Sequence, residues 1–170
     1  MYSALDIAKW FLFKDNAEAK QNEFEEEPYE RITNLKLQKL LYYAQGINLA
    51  IYNEPLFNES IEAWPHGPVV REVYNKYSIH KGNPIVVKTD LETEEKIIKI
   101  EQDSEANNVL NLTYNNFAIY TAWQLRNMTH KDGSPWDITQ KNKGLFKVID
   151  NDNIEKYFKE EVVEWYEGKE

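Results

Sequence analysis

The sequence predicts a mainly α fold, formally α+β, as a single domain over residues 1–170 with a small β-hairpin near residues 85–100. Three observations lead there. Apolar residues return at steps of three and four in several separate stretches. Two short runs rich in branched residues, 84–88 and 96–100, depart from that period. No internal repeat, long linker or low-complexity tract leaves room for a second domain. A chain of 170 residues, 42% hydrophobic with five Trp, eleven Tyr and seven Phe, can bury one substantial core.

Ser3 followed by Asp6 has the form of a helix start, and Ile7, Trp10, Phe11 and Leu12 give the first helix an apolar face. Residues 15–30 mix charges, with Glu23, Glu25, Glu26 and Glu27 ahead of Pro28, which interrupts any helix. That acidic run reads as a solvated loop or a short helix end, with docking of a basic partner as the minor alternative.

Residues 34–77 organise the chain. Leu37, Leu40, Leu41, Ala44, Ile47 and Ile51 line one side of a helix whose start Thr33 or Asn34 can cap. After Pro55-Leu56-Phe57 comes Ile61-Glu62-Ala63-Trp64-Pro65-His66-Gly67-Pro68. Its prolines push Trp64 and Gly67 away from helical backbone, so this tract is expected to be extended. Pro68 suits the first turn of a following helix, with Val69, Val70, Val73, Tyr74 and Tyr77 as its apolar face.

Gly82 and Pro84 then break the pattern. The runs 84–88 and 96–100 suit the two strands of the hairpin, with 89–95 as an exposed tip and 102–108 as loop. Phe117, Ala118, Thr121, Leu125 and Met128 recur at helical steps and predict one largely buried helix over 114–128. Gly133 and Pro135 end that segment just before Trp136, and 137–144 lacks a clear period. A final helix from Asp152 or Asn153 presents Ile154, Tyr157, Phe158, Val162 and Trp165.

The formal charge of −9 works against bare DNA or RNA, because phosphate contacts need clustered Lys and Arg. A basic protein partner fits better, although the acid can equally serve solubility alone. No apolar run reaches bilayer length, and the first residues lack the basic-then-apolar layout of a secretion signal. A cytoplasmic protein without nucleic-acid or membrane partners is expected. The absence of cysteine removes disulfides and thiolate metal sites.

The residues 35–45, Leu-Lys-Leu-Gln-Lys-Leu-Leu-Tyr-Tyr-Ala-Gln, resemble the signature helix of the Panacea, or SocA-like, antitoxin domain. The tract from Ile61 through Trp64-Pro65-His66-Gly67-Pro68 looks like that family's second block, and Leu125 through Thr129-His130 with Pro135-Trp136 like a third. Residues 79–116 depart from the pattern, since family members carry more helix there than a hairpin allows. The resemblance implies a bacterial antitoxin, often of prophage origin, that neutralises a cognate protein toxin by direct binding. Some members act instead as adaptors that hand a toxin or other client to a protease. Carried onto this chain, the motif scaffold is Leu37, Gln38, Leu40, Tyr42, Glu62, Pro65, Gly67, Pro68 and His130.

The expected partner-binding residues are Tyr43, Trp64, His66 and Trp136. Trp64 and Trp136 suit either a core or an interface, since an aromatic beside prolines in an extended segment is a good anchor. Tyr42 and Tyr43 cannot both face one side of a helix, so one is expected to present its hydroxyl outward. Gln38, Gln45 and Lys39 are expected to bond internally rather than to a partner. His66, His80 and His130 with Glu62 match no metal-ligand spacing, and His130 at a helix end suits a cationic ring. There is no phosphate loop and no nucleophile elbow. No catalytic residue, metal or cofactor is therefore assigned; a small hydrolase using Glu62, His66 and His130 is the remaining alternative.

Overall fold

The computed structural model describes residues 1–21, 30–88 and 90–163. In chain order these form α1 (Ala4–Gln21), α2 (Asn34–Tyr52), β1 (Ile61–Trp64), β2 (Gly67–Val70) and α3 (Arg71–Tyr77), with a 3-10 turn at Ser78–His80. Then come α4 (Leu91–Gln102), α5 (Ser104–Phe117), α6 (Ala122–Thr129), α7 (Pro135–Lys143) and α8 (Asn151–Phe158), which runs into a π-helical turn, Lys159–Val163. The mainly α architecture with one small antiparallel sheet is as the sequence predicts.

Thr33 caps α2 by accepting the Lys36 amide, and the helix ends on Asn53 in the left-handed region. α1, α3, α5, α6, α8 and β2 all touch α2. Every residue from 34 to 49 except Leu35 is buried. A helix enclosed on all sides cannot keep a polar face in water, so α2 is not the one-faced helix its apolar spacing suggests. Ile51, expected on the buried face, is 38% exposed. The polar side chains go inside and find partners. Lys36 Nζ donates to the carbonyls of Glu30 and Ala118, at 2.5 and 2.7 Å. Gln45 accepts the amides of Leu56 and Phe57 and donates to the Phe57 carbonyl. Gly46 lets Phe158 pack against the helix: a Cβ there would sit 2.5 Å from the ring.

The sheet lies at 61–70, not at 85–100. β1 and β2 pair antiparallel in the register Ile61↔Val70, Glu62↔Val69, Ala63↔Pro68 and Trp64↔Gly67. On its other side β1 is met by residues 145–149, through Ala63 N–H to the Lys147 carbonyl and Ile149 N–H to the Ile61 carbonyl, both 2.8 Å. Backbone groups alternate sides along an antiparallel strand. Ile61 and Ala63 therefore face away from β2, and Pro68, opposite Ala63, faces away from β1, where its missing N–H removes no ladder bond. Pro68 is thus a strand residue rather than the first turn of a helix, and α3 begins at Arg71.

The hairpin expected over 85–100 is absent. Residues 96–100 lie in α4, whose start Asp90 caps by accepting the Thr93 amide. Thr93, Ile97 and Ile100 are buried at helical steps while Ile98 is 50% exposed; a five-residue apolar run cannot separate helix from strand by period alone. Asp103 caps α5 in the tract expected to be loop, accepting the amides of Glu105 and Ala106. The expected helix over 114–128 is two helices, because Thr121 and Gln124 form a capping box that starts α6. Residues 137–143 are helical for the same kind of reason, with Ser134 as N-cap, Pro135 opening α7 and Gly144 closing it. Trp165, the acidic residues from Glu23 to Glu27 and Pro28 lie outside the described residues. Among those described, no helix is long and apolar enough to cross a membrane.

Candidate partner-binding site

The Trp64–Gly67 turn is held by side chains from three distant elements. Pro65 sets the first corner of the turn, and Gly67 follows at φ +102°, a conformation that side chains rarely adopt. A Cβ at Gly67 would also lie 2.8 Å from Thr129 Oγ1 and 2.9 Å from Lys39 Nζ. From α2, Lys39 Nζ donates to the Pro68 carbonyl at 2.9 Å and Gln38 Oε1 accepts the Val70 amide at 2.9 Å. These are the outward-facing groups of β2, so α2 closes the sheet's edge with side chains. From α7, Trp136 donates its indole N–H to the Trp64 carbonyl at 2.8 Å. His130, at the end of α6, places Nε2 3.3 Å from the Pro65 carbonyl and packs at a tilt of 38° against Trp136 with ring centroids 3.7 Å apart.

Two ionisable groups under the turn are displaced from their ordinary values. Burial, reinforced by the nearby Arg126 charge, pushes Lys39 down from 10.5 to about 7. Burial also lowers His130, against the bonds to the Arg126 and Pro65 carbonyls, which favour its cation. Both carbonyls can only accept, so a neutral ring donates to one of them; the shorter contact, Nδ1 to Arg126 at 2.6 Å, takes the proton. The cationic ring expected at this helix end is thus the disfavoured form.

Outside the turn, Trp64 sits among Tyr74, Phe146 and Arg71, at 4.8, 5.4 and 5.3 Å from its ring centroid. Its Nε1 donates to Glu62 Oε2 at 2.8 Å, and Arg71 grips the same carboxylate through Nε and Nη2 at 3.1 and 2.7 Å. The Arg71 bond is the largest cause holding the Glu62 carboxyl below its usual range. A cleft of about 240 Å³ opens beside Trp64, lined by Leu35, Pro65, His66, Val69, Tyr74 and Lys81 among others.

The structure thus gathers Trp64, His66, Trp136, Glu62, Pro65, Gly67, Pro68, His130 and Gln38 into one region. Leu37 and Leu40 are core. Tyr43 is elsewhere, stacked on Phe117 with centroids 4.0 Å apart and lining a separate cleft with Met128 and Tyr157. Tyr42 packs on Phe158. Both tyrosines are buried, each with its ring against Phe158 of α8. The Tyr42 hydroxyl has no hydrogen-bond partner among the described residues. Glu62 and His130 turn to different partners, Arg71 with Trp64 and the Arg126 and Pro65 carbonyls. Among the described residues no three His, Asp or Glu converge on a metal-sized space.

Sequence reading missed Arg71, Tyr74 and Phe146 as members of this surface. Tyr74 had been placed on a buried face, whereas it is 36% exposed. Phe146 stands in Leu145-Phe146-Lys147-Val148-Ile149, a short, mostly apolar run bounded by Gly144 and Asp150 that is consistent with a strand-like segment.

Comparison with known proteins places the motif residues in one family pattern. A family model described as the Antitoxin SocA-like, Panacea domain matches residues 37–137. The chain is 33% identical over 117 residues to Antitoxin SocA of Caulobacter vibrioides (strain NA1000 / CB15N), an alignment covering 66% of this chain and 62% of that protein. The chain therefore spans less than two thirds of that relative's length. No solved structure matches.

Proposed function

The chain belongs to the SocA-like antitoxins of the Panacea domain family, and we propose on that footing that it neutralises a cognate protein toxin by binding it directly. The observation that carries the reading is the rigid turn. Side chains from three separate elements reach the carbonyls of Trp64, Pro65 and Pro68 from beneath, while Trp64, Tyr74, Arg71 and Phe146 are left at the surface above them. Trp, Tyr and Arg are the residue types that dominate binding energy at protein interfaces, and a preset surface loses little freedom on docking. Trp64, His66 and Trp136 act in this reading as anchor, rim and support. Tyr43 contributes through the core.

Co-expression tests it. The product of the neighbouring reading frame should arrest growth alone and become harmless beside this protein, with its cellular level unchanged. A harmless neighbour, or one still toxic beside the antitoxin, would refute the toxin reading. Rescue accompanied by loss of the toxin polypeptide would replace direct block by delivery to a protease.

A further inference from the structure

We propose that the cleft beside Trp64 and Tyr74 receives an apolar side chain of the partner, and that Lys81 in its lining pairs with a carboxylate next to that side chain. The inference deepens the toxin-binding reading and rests on it for the identity of the partner alone.

Backbone strain marks the place. Among the described residues three that are not glycine have positive φ: Asn53, Lys81 and Phe146, at 58°, 53° and 62°. Asn53 terminates α2, where a left-handed Asn is ordinary. Lys81, at φ 53° and ψ −123°, closes the 3-10 turn and opens the His80–Asn83 turn, and Phe146 opens a bulge, positions that glycine fills more readily than either side chain. Lys81 lines the cleft beside Trp64, and Phe146 packs on the Trp64 ring. Phe146 sits in a bulge opposite Ala63, whose carbonyl accepts the Phe146 amide while its N–H goes to the Lys147 carbonyl. Glycine would satisfy either backbone with less strain. What glycine would not supply is the Lys81 amine or the Phe146 ring, which is 51% exposed against Trp64. Strain kept at a surface cluster is a signature of ligand clamps.

Charge fixes the chemistry of the occupant. The chain carries 29 acidic residues against 20 basic ones. Three other clefts, of about 220 to 370 Å³, each hold at least one carboxylate beside their lysines, Glu161 in one, Asp152, Glu155 and Glu160 in another, Asp90 in the third. The Trp64 cleft is lined by none, and Lys81 is its only fully charged residue. Lys81 has no carboxylate partner among the described residues. An apolar slot whose one charged lining residue is an unpaired lysine, beside an Arg71 already neutralised by Glu62, selects an apolar group followed by an acid, and rejects a basic segment by like-charge repulsion.

The test pans a random-peptide phage library on the purified full-length protein. Enriched peptides should place Asp or Glu within two positions of a large apolar residue, and should bind roughly tenfold more weakly to Tyr74→Ala and Lys81→Gly. Lys81→Gly should melt no lower than the parent, because it removes strain. Lys81→Glu should turn the selected acid into Lys or Arg. Failure to enrich any peptide, enrichment of basic or acid-free peptides, or affinities unchanged in these variants would overturn the proposal. The probe contains no toxin, so the co-expression assay judges the toxin reading separately.

Discussion

Trp136 donates its indole N–H to the backbone carbonyl of Trp64 at 2.8 Å, across 72 residues of sequence. That bond joins the third motif block to the second, and Lys39 and Gln38 join the first block to the same turn. The motif residues build one object, a hairpin turn clamped from below.

Replacing Trp136 by Phe removes the donor and leaves the ring. The Trp64 carbonyl then loses one protein partner, at about 1 kcal/mol of stability. Toxin affinity should fall more than melting temperature does, since the turn loses its orientation. Calorimetric titration beside thermal unfolding separates the two, and equal losses would mean Trp136 is core alone.

Gly46→Ala should destabilise the protein by about 1–3 kcal/mol through overpacking against Phe158. The sign is informative, because Ala in an unobstructed helix interior stabilises by about 1 kcal/mol over Gly. Urea unfolding measures it. Gly82→Ala, with nothing within 4 Å of its added methyl, is the control and should change little.

Lys39 gives a pH signature. Its folded-state value of about 7 lies below its ordinary 10.5, so the unfolded chain binds more protons between those limits. The stability it contributes is complete above 10.5 and is lost as pH falls through about 7. Lys36 shifts the same way, whereas the groups raised above their ordinary values, Tyr2 and Lys141 among them, act only above pH 10. Wild-type stability should therefore drop by about 1–3 kcal/mol from pH 9 to pH 7. In Lys39→Met most of that slope should vanish. An unchanged slope in the variant would show that Lys39 is not its source.

Tyr43→Ala should cost about 3–5 kcal/mol, the range for a buried aromatic, because its ring stacks on Phe117 within the core. Circular dichroism in urea reads this directly. A variant that keeps its stability and loses only toxin binding would restore Tyr43 as an anchor.

The sequence showed the helices whose caps and apolar period coincide. Ser3 and Asp6 start α1 as expected, with Ser3 Oγ accepting the Asp6 amide, and Thr33 starts α2. It failed where the signal lay in caps rather than in period: Asp90, Asp103, Thr121 and Ser134 each begin a helix, by side-chain bonds to amides two or three residues on. Branched residues at 96–100 looked like a strand because intrinsic β preference is weak beside a capped helix with a buried face.

For the candidate site, sequence alone determined which residue types stand together on the chain: the extended Trp-Pro-His-Gly-Pro tract, the glutamines and Lys39 of α2, and the Trp136 that follows a turn. Local backbone restriction by proline and glycine suffices for that. Only the tertiary structure decided what each does, because burial is a property of neighbours. It enclosed α2 from Asn34 to Leu49 apart from Leu35, turned Gln38 and Lys39 into the partners of a strand edge, moved Tyr43 into the core, and brought Tyr74 and Phe146 against Trp64.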